Sequence, residues 1–152
     1  MQALDKIVEL VDAIDASSTP AGPRNASIRS AQPIQPWTMA QAVAHCAQSI
    51  EYSMAGYPKL RSGLFRATIG PLVKRRFIKA NRMSHDPGAP IAGAPAIPHD
   101  LALDDARARL RTAVAAFRSH GSPLQPHLAY GVCTKDEYAV LHLLHVEDHL
   151  RR

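Results

Sequence analysis

Residues 134–150 read TKDEYAVLHLLHVEDHL, and this stretch decides the fold class. It holds no Pro or Gly. Thr134 is a good N-cap, and Asp136 and Glu137 sit where a helix dipole favours acids, so the run predicts a helix. On a wheel at about 100° per residue with His142 at the origin, Tyr138, His145 and His149 fall near 320°, 300° and 340°. Asp136, Glu147, Arg151 and Asp148 fall near 120°, 140°, 180° and 240° on the same wheel. The histidines are therefore expected to face the core, and the charges, Glu147 included, to face solvent.

Working back from this helix, the other long elements also carry helical patterning. Leu4, Ile7, Val8, Val11 and Ile14 recur at helical spacing over residues 2–15. Thr38 caps a run to Ala55 that is free of Pro and Gly until Gly56. Leu64 to Ala80 predicts a shorter helix that Pro71 starts or kinks. Asp100 is expected to cap a helix to Ser119, ended by Gly121 and Pro123. Residues 16–36 and 84–99 are rich in Pro, Gly and Ser and read as long loops, the second as an extended linker between halves of the chain. No segment alternates as a strand would. The expected class is all-α, as one domain over residues 1–152 with four main helices plus a short one.

Composition narrows the function classes. Met1 to Asp15 mixes acids among apolar residues, unlike a targeting segment, and no stretch approaches the ~18 apolar residues of a membrane span. A soluble, cytoplasmic protein is expected. Cys46 and Cys133 lie far apart without metal or redox spacing and are expected to be reduced. The net charge of +5 is concentrated in residues 59–82, where Lys59, Arg61, Arg66, Lys74, Arg75, Arg76, Lys79 and Arg82 meet no acid. Such a window suits an anionic small molecule, a nucleic acid or a membrane surface, or is simply a solvated face. Nucleic acid ranks last, because few aromatics interleave with the cations and no recognition motif is present.

His145 and His149, four apart on one helix face, have Cβ atoms ~5–6 Å apart and can reach one ion. Clustered buried imidazoles are costly unless hydrogen-bonded or metal-bound, so the competing reading is a set of satisfied core histidines. The metalloprotease pattern is absent, since Val146 rather than glutamate follows His145. A third ligand must come from elsewhere. His45 shares a face with Gln41, Gln48, Ser49 and Tyr52, opposite Val43, Ala47, Ile50 and Met54, so its helix is expected to border both a core and a polar cavity. Cys46 lies about 100° away and reads as a small buried residue rather than a nucleophile. Trp37 reads as a core anchor outside the site.

With these elements in place, the chain resembles the DinB superfamily of YfiT-like metal-dependent hydrolases. The similarity rests on Trp37 before the second helix, His45 within it, Gly56-Tyr57-Pro58, and the loop His127-Leu128-Ala129-Tyr130-Gly131. Thr134, Glu137-Tyr138 and the His145 to Leu150 stretch complete it. The chain is most similar to a domain-of-unknown-function branch of that superfamily. Leu128 stands where proline is usual, and Asp148 where a further histidine is common. The resemblance implies an up-down-down-up four-helix bundle in which His45, His145 and His149 hold one divalent ion, with zinc, nickel, iron and manganese undistinguished. Three imidazoles would leave a position open to water or substrate. The activity so implied is that of a hydrolase or a thiol-dependent transferase or isomerase, acting on a small molecule that is anionic or thiol-containing; a non-catalytic metal- or ligand-binding bundle is the alternative. Bundles of this kind often pair, so a homodimer is an expectation. His127 and Tyr130 are the candidate catalytic groups, with Gln48, Tyr52, Tyr138 and His142 around the pocket. For His127 the competing role is a hydrogen bond that orders its loop.

Overall fold

The computed structural model describes residues 2–14, 37–86 and 88–150, which are all-helical with six helices. These are α1 (Gln2–Asp12), α2 (Met39–Ala55), α3 (Gly63–Ala67), α4 (Ile69–Ala80), α5 (Leu103–Ser119) and α6 (Lys135–Leu150). The described residues form no strand, only a single bridge between His127 and Gly131. No helix among them is long and apolar enough to cross a membrane.

Local chemistry sets two of the helix starts. Thr38 accepts from Gln41 N while the Gln41 side chain accepts from Thr38 N, a capping box that opens α2. Thr134 and Glu137 make the same reciprocal pair at α6. Each cap satisfies backbone donors that would otherwise be orphaned and contributes about 1 kcal/mol. Asp100 does not cap α5. The helix begins after Ala102, which has no side-chain cap, and Asp104 and Asp105 supply the favourable charge in its first turn.

The expected 64–80 helix is two helices broken at Thr68. Thr68 leaves the helical path at φ −116° and ψ −74°, and its hydroxyl donates to Leu64 O. Pro71 then falls in the first turn of α4, where its missing N–H costs no internal hydrogen bond. The first helix ends at Asp12 rather than residue 15, and the 16–36 loop lies outside the described residues.

Packing follows from where the apolar stripes meet. α2 lies most extensively on α5, α1 packs on both α5 and α6, and α6 also meets α2 and α4. Ile7, Val11, Ile50, Leu110, Phe117 and Leu144 are fully buried in the shared core. α2 is buried on almost every side from Ala40 to Ile50, because alanines at 40, 42, 44 and 47 let its neighbours approach closely.

The polar side of α2 is divided: His45 and Ser49 line a cavity, as its pattern suggested, while the two glutamines do not. Gln41 donates to Ile97 O and Gln48 to Pro95 O, so these amides strap the 88–98 segment across the helix. That segment is irregular, as its composition predicts, yet it packs on α2 instead of acting as a spacer. Glu147 is also not at the surface: it is buried, and Lys6 Nζ on α1 lies 3.2 Å from its carboxylate. α1 covers the part of α6 that the wheel assigned to solvent.

Candidate metal centre

Helix spacing brings the first two nitrogens together: His145 Nε2 and His149 Nε2 on α6 are 3.1 Å apart. His45 on the buried middle of α2 packs its ring 5.0 Å, centroid to centroid, from each of them. A fourth imidazole completes the group. His85, just beyond α4, places Nε2 3.1 Å from His149 Nε2. One ligand nitrogen from each of His45, His85, His145 and His149 lies within 4.8 Å of the others, so the four could hold a metal ion.

Sequence reasoning missed His85 because it sits in a Pro-rich stretch with no periodicity to aim it. The available signal was Asp148, an acid inside the histidine motif. Its carboxylate lies 2.8 Å from His85 Nδ1 and also accepts from His85 N at 3.2 Å. Asp148 is therefore not on a solvent stripe. It fixes the His85 tautomer with the proton on Nδ1, which leaves the Nε2 lone pair toward the cluster, the usual arrangement behind a metal-binding histidine.

A ring nitrogen has one proton or one lone pair in its plane. His149 Nε2 has two nitrogen neighbours at 3.1 Å and can satisfy only one of them by a well-aligned hydrogen bond. His45 Nδ1 is buried with no hydrogen-bond partner. Two ligand nitrogens each ~2.0–2.1 Å from one ion stand roughly 2.9 Å apart at a right angle and roughly 3.4 Å apart at the tetrahedral angle. The two 3.1 Å separations fall within that span. Burial, followed by repulsion from His149 and His85, pushes His45 down to about 3. Burial and the neighbouring histidines also hold His145 well below its ordinary value. Both rings are neutral at pH 7, the form a ligand needs. Trp37, read from sequence as a core anchor, instead caps this group, with its ring edge-on to His45 at 4.7 Å and stacked on His149 at 6.1 Å.

A cavity of about 630 Å³ opens beside the cluster, with His45, His85 and His145 on its wall. His127, Tyr130, Tyr138 and His142 line it further along. These groups are already committed to protein partners. His127 Nδ1 accepts from Ala129 N and Tyr130 N, which orders the loop and leaves the ring proton on Nε2. Its ring stacks on Tyr130 at 4.1 Å and 4°. His142 Nε2 lies 3.3 Å from Ser53 Oγ, whose own proton goes to Ile50 O, so the imidazole is the donor. Tyr138 O–H donates to Gln125 O. Burial lowers His127 and His142 each to about 3. Gln48 and Tyr52 lie elsewhere, Gln48 on Pro95 and Tyr52 against the Tyr57 ring.

Two glycines set the loop that carries His127 and Tyr130. A Cβ on Gly70 would stand 2.1 Å from Ala129 O, so only glycine lets α4 approach this close. Gly131 has φ 74°, and a Cβ there would meet Arg66 O at 2.6 Å. In the basic window, Lys74 is not solvated: it is buried and donates to Val132 O and Glu137 Oε2.

No curated protein and no solved structure matches the chain. A family model described as "Protein of unknown function (DUF1569)" matches residues 25–152, which include all four clustered histidines and the loop around His127. The chain belongs to the DUF1569 family.

Proposed function

We propose that His45, His85, His145 and His149 bind one divalent metal ion, and that this ion serves a reaction on a small molecule held in the adjoining cavity. The observation that carries the reading is that one ligand nitrogen from each of the four histidines lies within 4.8 Å of the others, in a group where His45 Nδ1 is buried without a hydrogen-bond partner. A cation among them offsets the repulsion of their lone pairs. When bound, such an ion acidifies water or polarises a carbonyl. The chain's own residues bind and orient: Asp148 aims His85, Trp37 covers the cluster, and the wall shared with His45, His85 and His145 lets a substrate reach it.

His85 changes the coordination expected from three histidines. Four imidazoles complete a tetrahedral zinc site, so an open position needs an ion that takes five or six ligands, such as manganese, iron or nickel, or departure of His85. With an open position, the reading is a hydrolase or a thiol-dependent transferase. A closed tetrahedral set favours the second reading, a non-catalytic metal-binding protein. The pairing of α1 and α2 with α5 and α6 supports a four-helix bundle of the DinB-like kind.

The test is metal content of tag-free protein by plasma mass spectrometry, beside His45→Ala and His149→Ala variants shown by circular dichroism to be folded. About one ion per chain, lost in both variants, is expected. Absence of metal after reconstitution with zinc, nickel, iron and manganese overturns the proposal. Turnover of ester, amide or thiol-conjugate substrates by the loaded wild type, but not by the variants, separates the enzyme from the binding protein.

A further inference from the structure

The cavity has a chemical gradient that the histidines do not explain. Its buried depth is apolar, with Met83, Ile91 and Leu141 beside the histidines, and Phe65, Val73 and Phe77 half-buried along the wall. Its exposed lip carries Lys59, Leu60 and Arg61 on one side and Ser84, Asp86 and Pro90 on the other. Gly93, with φ 79°, lies close against the Pro58 and Lys59 side chains, so the 88–98 strap that crosses α2 holds this lip in place. Arg61 is held by its backbone N–H to Leu128 O at 2.9 Å, and its guanidinium lies 5.0 Å over the Phe65 ring.

Some of the cations are paired with acids, and others, such as Arg75, Arg76, Lys79 and Arg82, lie on the surface away from the cavity. Lys6, Lys74, Arg107, Arg109, Arg111 and Arg118 each pair with a carboxylate. Among the described residues, Lys59 and Arg61 pair with none. Asp86, the one carboxylate on the wall, accepts from Gly88 N. Lys59 and Arg61 are the Lys and Arg side chains that line the cavity, and two cations without a carboxylate partner at the mouth of a largely apolar cavity are complementary to an anion with an apolar body.

We propose that this cavity binds an amphipathic anion, its carboxylate or phosphate at Lys59 and Arg61 and its apolar chain or ring along Phe65, Val73 and Phe77. The site extends the cavity of the proposed metal centre but does not require the ion, so the two readings fail separately. Carboxylate and phosphate share the chemistry, and the probes below tell them apart.

The experiment is calorimetric titration of the full chain, both chelator-stripped and zinc-loaded, with decanoate, decyl phosphate and decanol. One site per chain is expected for at least one anion in both states, and the tighter of the two assigns the headgroup. Decanol should bind more weakly. In the Lys59→Gln/Arg61→Gln double variant, anion affinity should fall roughly three- to tenfold, as expected for two partly exposed ion pairs, with decanol unchanged. Arg82→Gln removes a cation of the same basic window that does not line the cavity, and should leave affinity unaltered. Equal binding of decanol and both anions, no binding of any probe, or an equal loss in Arg82→Gln overturns the proposal. So does anion binding that needs zinc and survives in the double variant, because the ion and not the lip would then read the charge.

Discussion

At one end of the cavity, His149 Nε2 stands 3.1 Å from two other ring nitrogens and His45 Nδ1 has no partner. At the other end, His127 Nδ1 receives two backbone N–H groups and His142 Nε2 donates to Ser53. All four of these rings are buried or half-buried, yet the first end leaves His45 Nδ1 without a partner, whereas hydrogen bonds hold both rings of the second. Buried polar atoms without partners are costly, and a fold tolerates them where something outside the chain completes them. The contrast marks the first end as a place for a ligand ion and the second as structure that shapes the cavity.

The sharpest way to break that contrast is thermal unfolding with and without metal. Saturating metal at about a thousandfold excess over Kd should stabilise the wild type by about 4 kcal/mol, a rise in Tm of roughly 10 °C, and His149→Ala should abolish the rise. If wild type and variant respond alike, the cluster is not the ligand site.

Gly70→Ala should act at the opposite end. Its new Cβ must displace Ala129 O, and overpacking of this kind costs about 3 kcal/mol, read by urea unfolding. Metal affinity should stay within about twofold of wild type, because the loop it disturbs carries His127 and no clustered histidine.

Asp148→Asn weakens the carboxylate that aims His85 and should lower metal affinity by about 10- to 100-fold in a chelator competition. Ser53→Ala removes the acceptor of His142 and should cost about 1–3 kcal/mol of stability with metal affinity unchanged. Swapped outcomes would reverse the assignment of the two ends.

The smallest effect is on pH dependence. His142 is lowered to about 3 by burial in the folded protein, so between about pH 6.5 and that value the unfolded chain binds a proton that the native one does not. Stability of the metal-free protein should therefore fall as pH drops below about 6.5, with this ring contributing at most about 1.4 kcal/mol per pH unit. His142→Leu should make the slope shallower in urea titrations at pH 7, 6 and 5.

How far the sequence reached depended on whether local geometry or distant packing aimed each residue. The last helix was legible because Thr134 and Glu137 cap it within one turn, and a four-residue spacing alone makes His145 and His149 neighbours. The charged stripe on that helix was misread for one reason in two places. α1 lies over Glu147 and the segment after α4 lies over Asp148, so a face that the wheel leaves to water is covered. Trp37 was set aside because nothing local shows that the start of α2 abuts the end of α6.

By itself, the sequence determined the helical class, the threonine N-caps of α2 and α6, the break-prone Pro71 region and a pair of imidazoles on one helix face, all of which rest on interactions within a few residues. Only the tertiary structure decided that His45 and His85 join that pair, that Asp148 stands behind His85, and that Lys59 and Arg61 meet an apolar cavity. Those groups are separated by many residues of chain, and only the packing of α2, α6 and the strap between α4 and α5 brings them within a few ångströms of one another.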